Sequence, residues 1–255
     1  MDFSGKSVLV TGASRGIGYG IAKAFAKAGA DLTILADDPE TEKAAKALEA
    51  VAGKPVRAMV ADIADRAAVA STVGTLERID VLINNAGLEL ITPIDEEGDE
   101  VENTFRRIVD INVNGSFFVT REALKKIPDG GRIIFTASVW GKSAEAGFSA
   151  YCASKHAVIG LTRTLAKELG ARNITVNAVC PGWVKTVASM RSLGKMAERY
   201  DRDEQSLLDD ITATQAIGGL MQPDDIAGPY LFLASDAAAN ITGQSLNIDR
   251  GELPS

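Results

Sequence analysis

Apolar, β-rich runs alternate with helix-patterned segments about six times along this chain, and few folds accept that rhythm. The runs cover residues 6–10, 31–36, 56–61, 80–84, 132–137, 174–179 and 245–248. They are near-continuously apolar, as strands buried on both faces must be. Between them, helix patterns cover 40–52, 65–77, 99–127, 148–169 and 223–234. The first helix starts at Gly16, carries Ile17, Ile21, Ala24, Phe25 and Ala28 on one face, and stops at Gly29. Strands alternating with helices predict an α/β fold: a doubly wound parallel sheet flanked by helices on both faces, with ligands at the carboxyl ends of the strands.

The chemistry-bearing residues fall at those ends. Gly12-x-x-x-Gly16-x-Gly18 follows the first strand and opens the first helix. Absent side chains there let a ligand approach the backbone, and the helix N-terminus offers free N–H groups to a pyrophosphate. The second strand ends in Asp37-Asp38, where an acidic side chain can bond a ribose 2′-hydroxyl and repel a 2′-phosphate. The alternative is that one of them caps the helix beginning near Glu40. Arg15 pulls the other way, since a guanidinium in the phosphate loop accepts a 2′-phosphate; two aspartates against one arginine favour NAD over NADP. Asp62, Asn85-Ala86-Gly87, Ser138 and Pro181-Gly182 each close a later strand. Tyr151 and Lys155 lie four residues apart, one helical turn, where an ammonium favours the phenolate of its neighbour. The bland reading of that pair is two surface residues on an amphipathic helix.

Composition narrows the classes. The chain has 255 residues, a net charge of −7 and 46% apolar residues. A large core is possible, and no basic stripe supports nucleic-acid binding. No run is long enough for a signal or membrane segment, so a cytoplasmic protein is expected. Cys152 and Cys180 are too few for a disulfide framework and read as small core fillers; the lone His156 excludes a multi-histidine metal centre. Asp110 to Gly115 interrupts the 99–127 helix with residues that disfavour helix interiors. Residues 183–222 break the rhythm without a clear strand and read as a substrate loop or lid.

Taken together, Thr11-Gly12-x-x-x-Gly16-x-Gly18, Asn84-Asn85-Ala86-Gly87, Asn112, Ser138, Tyr151-x-x-x-Lys155 and Pro181-Gly182 with Thr186 resemble the classical short-chain dehydrogenases/reductases over nearly the whole chain. The resemblance implies one Rossmann-type domain over 1–255 with about seven strands. It implies Tyr151 as general acid/base, Lys155 as its partner and as a ligand of the nicotinamide ribose, Ser138 as the residue orienting the substrate oxygen, and Asn112 as the anchor of a water linked to Lys155. For the cofactor it implies Gly12, Ser14, Arg15, Gly16, Ile17 and Gly18 at the pyrophosphate, Asp37 at the ribose, Asp62 and Ile63 at the adenine, and Val184 and Thr186 at the carboxamide. It also implies a homodimer or homotetramer pairing helices 99–127 and 148–169. Asp249-Arg250-Gly251 departs from the family's usual Asp-Gly-Gly.

The expected reaction is interconversion of a secondary alcohol and a ketone. Lys142, Glu145, Lys185, Ser189 and Arg191 point to a small polar substrate such as a sugar, polyol or hydroxy acid. Met190, Leu193 and Met196 would suit a bulkier apolar ketone or steroid-like alcohol, and Trp140 and Trp183 either wall the pocket or pack in the core. Epimerases of the extended relatives use the same dyad but need a longer chain, and a nucleotide-sensing protein would not need the dyad at all.

Overall fold

The computed structural model describes residues 1–254. Its centre is a seven-stranded sheet, entirely parallel, in the order β3-β2-β1-β4-β5-β6-β7. The strands are β1 (Ser7–Thr11), β2 (Asp31–Ala36), β3 (Arg57–Val60), β4 (Val81–Asn84), β5 (Arg132–Thr136), β6 (Thr175–Pro181) and β7 (Ser245–Ile248). The chain winds outward through β1, β2 and β3, then crosses back to place β4 beside β1. That reversal opens a crevice between the carboxyl ends of β1 and β4, the place where such sheets bind ligands.

The helices are α1 (Gly16–Lys27), α2 (Glu40–Ala52), α3 (Arg66–Val73), α4 (Asp99–Val109), α5 (Ser116–Ala123), α6 (Ser149–Leu169), α7 (Val187–Tyr200), α8 (Glu204–Ala213) and α9 (Ala227–Ala234). Successive side chains of a strand point to opposite faces, so each apolar run serves two cores. Leu9, Ile133 and Phe135 pack with residues of α3, α5 and α6. Val8, Val10 and Ile134 pack on the other face with Ile21 and Phe25 of α1, Leu48 of α2 and Tyr230 of α9.

Several expectations need adjustment. The helix expected over 65–77 ends at Val73, before Gly74; Asp65 caps its start by accepting from Ala67 and Ala68 N–H. The 99–127 helix divides into α4 and α5 around a π-helical turn, Asp110–Gly115. The turn lets Gly115 meet Ile63: a Cβ on Gly115 would stand 2.7 Å from Ile63 Cγ1. Neither Asp37 nor Asp38 caps α2 with its side chain, because Pro39 takes that place. Residues 183–222 are largely helical, forming α7 and α8, and a single bridge between Val184 and Met221 closes the excursion. Residues 223–234 begin with a 3-10 turn, Pro223–Ile226, before α9. Among the described residues, no helix is long and apolar enough to cross a membrane.

Candidate active site

A cleft of about 370 Å³ runs along the carboxyl edge of the sheet. Its floor is the β1–α1 turn. Gly12 and Gly16 have positive φ, and a Cβ on Gly12 would come within 2.6 Å of Ala86 Cα. A Cβ on Gly18 would collide with the carbonyl oxygen of Gly12. No side chain caps the start of α1, so its first N–H groups remain available to an anion at the positive end of the helix dipole. A backbone cradle closed to side chains beside an uncapped helix start fits a dinucleotide pyrophosphate. Ser14, Arg15, Ile17, Asp37, Asp62, Ile63, Asn85, Ala86, Gly87 and Thr186 line the same cleft.

At the ribose end both aspartates border the cleft, with different partners. Asp38, not Asp37, turns inward: its Oδ2 accepts from Ser14 Oγ at 3.0 Å and from Arg15 Nη1 at 2.8 Å. Its Oδ1 is buried without a partner and stands ready as an acceptor. Asp37 lines the cleft with an exposed side chain. Asp62 is anchored by Ala64 N–H and by Arg107 of α4 at 2.7 Å.

Thr11 Oγ1 accepts from both Asn85 and Ala86 N–H at 3.0 Å and so fixes the turn after β4. Asn85 Nδ2 donates to the carbonyls of Thr11 and Gly12, and its Oδ1 accepts from Thr136 Oγ1. Thr136 in turn bonds Tyr230 on α9 at 2.8 Å. Asn112 projects from the π-helical turn. Its Oδ1 accepts from Leu88 N–H at 2.7 Å, and its Nδ2 donates to Leu88 O and Ser154 Oγ. Its side chain therefore clamps the Gly87–Leu88 loop to α6. The wall formed by Pro181 and Gly182 continues into Val184 and into Thr186, which caps α7 in a reciprocal pair with Ser189.

Where the cleft turns toward β5, Ser138, Tyr151, Trp140 and Trp183 enclose a smaller cavity of about 90 Å³. The two indoles stand edge to face at 5.9 Å, and Trp140 meets the Tyr151 ring at 6.0 Å. Both tryptophans thus wall the pocket while packing on the core beneath it. Lys155 Nζ lies 5.4 Å from the Tyr151 ring centre and donates to the Thr136 carbonyl at 2.7 Å. Burial pushes the Tyr151 phenol up, and the Glu89 carboxylate adds to this, while the Ser138 hydroxyl opposes it. Burial pushes Lys155 down to about 8. Desolvation disfavours the charged form of each group, the phenolate as well as the ammonium.

Met190, Leu193 and Met196 do not line this pocket; they join Leu207 in the cluster under α7 and α8. Cys152 and Cys180 are buried free thiols. His156 is exposed on α6, with its Nδ1 beside the Cys152 carbonyl, and points away from the site. Arg250 bonds the Gly218 carbonyl, and Ile217 N–H donates to the Arg250 carbonyl, which ties the end of the α7–α8 excursion to the chain after β7. Lys142, four residues beyond Ser138, donates to Ser245 O and Asn247 Oδ1, and Asn247 donates to Leu253 O. Among the described residues no cluster could hold a metal ion.

Comparison with known proteins decides the family. Residues 12–252 match the family model described as enoyl-(acyl carrier protein) reductase. A 3-oxoacyl-[acyl-carrier-protein] reductase of Rickettsia felis is 33% identical over 99% of both chains.

The chain belongs to the classical short-chain dehydrogenase/reductase family.

Among solved members of this family, the L-sorbose reductase of Gluconobacter frateurii, complexed with NADPH and L-sorbose, superposes with a TM-score of 0.90. It is 27% identical, covering 100% of this chain and 99% of that one. A short-chain dehydrogenase of Burkholderia cenocepacia in complex with NADP is 32% identical, covers 99% of each chain and has a TM-score of 0.86. The family's seven-stranded Rossmann-type sheet, expected from the sequence, is the one described above.

Glu89, Thr136 and Tyr230 are the residues the sequence reading missed. The motif signal for Glu89 was its place two residues beyond Gly87, at the mouth of the Asn-Ala-Gly loop.

Proposed function

We propose that this protein is a nicotinamide-dependent dehydrogenase/reductase that interconverts a small polar secondary alcohol and its ketone. The observation that carries this reading is the cavity of about 90 Å³ in which Tyr151 and Ser138 meet at the end of the dinucleotide cleft. Its hydroxyl donors, with the Glu89 carboxyl beside them, suit a substrate that carries polar groups around the reacting carbon. The former apolar candidates, Leu193 and Met196, lie buried under the lid helices.

When bound, the nicotinamide supplies or accepts the hydride. Tyr151 gives a proton to the developing alkoxide in reduction and takes it back in oxidation. Ser138 holds the same oxygen. Lys155 keeps positive charge beside the phenol and reaches the ribose side of the cleft. Asn112 keeps the Leu88 loop against α6 so that these groups share one wall. Helices α7 and α8 close over the pocket as the lid.

For the dinucleotide we propose NAD, with Asp38 rather than Asp37 as the residue that reads the ribose. What supports this is the pairing of Arg15 with Asp38, which occupies the guanidinium a 2′-phosphate would need, and the unpartnered Asp38 Oδ1. The solved relatives carry NADP(H), so the two cofactors are to be compared side by side. A second reading, reduction of a 3-oxoacyl thioester, is favoured by the name of the Rickettsia relative.

The deciding experiment is nicotinamide absorbance with NAD(H) and NADP(H) across sugars, polyols, hydroxy acids, apolar ketones and a 3-oxoacyl thioester, with Tyr151→Phe as control. Selective turnover of a small polar class, lowered about 10²- to 10⁴-fold in Tyr151→Phe, is expected. Preference for the thioester would establish the second reading, and unchanged turnover in Tyr151→Phe would remove this tyrosine from the chemistry.

A further inference from the structure

Among the described residues lining the cavity at Tyr151, Glu89 is the one acidic side chain, and no lysine, arginine or histidine lines it. Glu89 also borders the dinucleotide cleft, so it stands where the two spaces join. Its backbone is fixed: Arg191 of α7 donates to its carbonyl at 2.7 Å. The Ser192 hydroxyl of the same helix and the positive charges of Arg191 and Lys155 favour its ionised form. Desolvation nevertheless keeps the carboxyl raised above its usual range. A carboxylate taken from water with so little compensation is costly unless something pairs with it. The Tyr151–Lys155 chemistry does not use it; indeed its charge opposes ionisation of the phenol.

We infer that Glu89 is a specificity-determining residue: its carboxylate receives a proton-donating group, hydroxyl or ammonium, on the carbon next to the reacting carbinol or carbonyl. A carboxylate at that position of the substrate would meet like charge in a poorly solvated pocket and is rejected. The faces of Trp140 and Trp183 favour the same choice, because an aromatic face attracts a cation. This inference rests on the oxidoreductase reading and narrows its substrate class from polar compounds in general to vicinal diols, acyloins and amino alcohols, excluding hydroxy acids.

The test uses four alcohols that differ only at the carbon beside the carbinol: propane-1,2-diol, 1-aminopropan-2-ol, butan-2-ol and lactate. For each, kcat/KM is measured with the wild type, Glu89→Gln and Glu89→Asp. Binding is measured separately, with nicotinamide dinucleotide present, by quenching of Trp140 and Trp183, the protein's two tryptophans. The wild type should prefer the amino alcohol and the diol to lactate. Glu89→Gln should lower the amino-alcohol-to-lactate ratio about 10- to 100-fold, the range of a charge-assisted hydrogen bond. Glu89→Asp, which keeps the charge, should preserve the order. An equal fall for all four alcohols in Glu89→Gln would mean a structural role and overturn the inference. Absence of turnover with every alcohol would remove the oxidoreductase reading, and the quenching series would still judge Glu89: equal affinity for the amino alcohol and lactate would overturn it.

Discussion

Asp38 shows how a single carboxylate can serve two partners and keep one oxygen in reserve. Its Oδ2 accepts from Ser14 and Arg15, and its Oδ1 is buried without a partner. The ion pair itself is half exposed and contributes at most ~1 kcal/mol to stability. Its effect is on selection: a 2′-phosphate would have to break the pair and then sit against two aspartates. Asp38→Ala should therefore raise the NADP-to-NAD ratio of kcat/KM about 10- to 100-fold, while Asp37→Ala, on an exposed side chain, should move it less. Steady-state kinetics with both cofactors check this, and an unmoved ratio in Asp38→Ala would reduce the residue to a loop anchor. The sequence places both aspartates at the end of β2. Which one turns inward depends on the chain's direction as it leaves the sheet, and no periodicity encodes that. Glu89 was hidden for a related reason: it lies in an irregular loop, and only the approach of α7 makes it a wall of the pocket.

At the scale of elements, the strands and the helices that cover them were legible because each apolar run is long and each helix face is periodic. The Tyr151–Lys155 helix, the phosphate loop and the Asn112 irregularity could be read for the same reason, since turn residues interrupt otherwise clear patterns. Helices α7 and α8 were not. Their apolar residues face a small satellite cluster with Trp140 and Trp183 rather than a main core, so their spacing is diluted by charge. The reciprocal Thr186–Ser189 cap was the available start signal. These helices touch the site through Thr186, Ser189 and Arg191 while resting on few large core contacts, which suits a segment that opens. Hydrogen exchange should show amides of 187–213 protected when dinucleotide and substrate are both present. Equal exchange with and without them would show a fixed roof instead of a lid.

For the whole molecule, the two cores leave some apolar surface uncovered. Phe105 on α4 is 38% exposed and Phe117 on α5 is 41% exposed, on the helices expected to pair between subunits. A homodimer across α4 and α5, with a homotetramer as the further possibility, is the assembly we propose. Phe117→Glu should lower the sedimenting mass from the dimer or tetramer toward the monomer; a wild type that already sediments as a monomer would sink the proposal. Long-range partners such as Thr136 with Tyr230 were beyond the sequence, because 94 positions separate them and only the packing of α9 on the sheet brings them together. The clasp from Lys142 to Ser245 and Asn247, and from Asn247 to Leu253, has a temporal meaning. A ribosome releases the phosphate loop, Ser138 and Tyr151 well before β7. Until those last strand residues emerge, the loop carrying Ser138 lacks its brace and the edge of the site stays open. The brace on the Ser138 loop therefore forms across more than a hundred positions of sequence and is among the last contacts of the site to become possible.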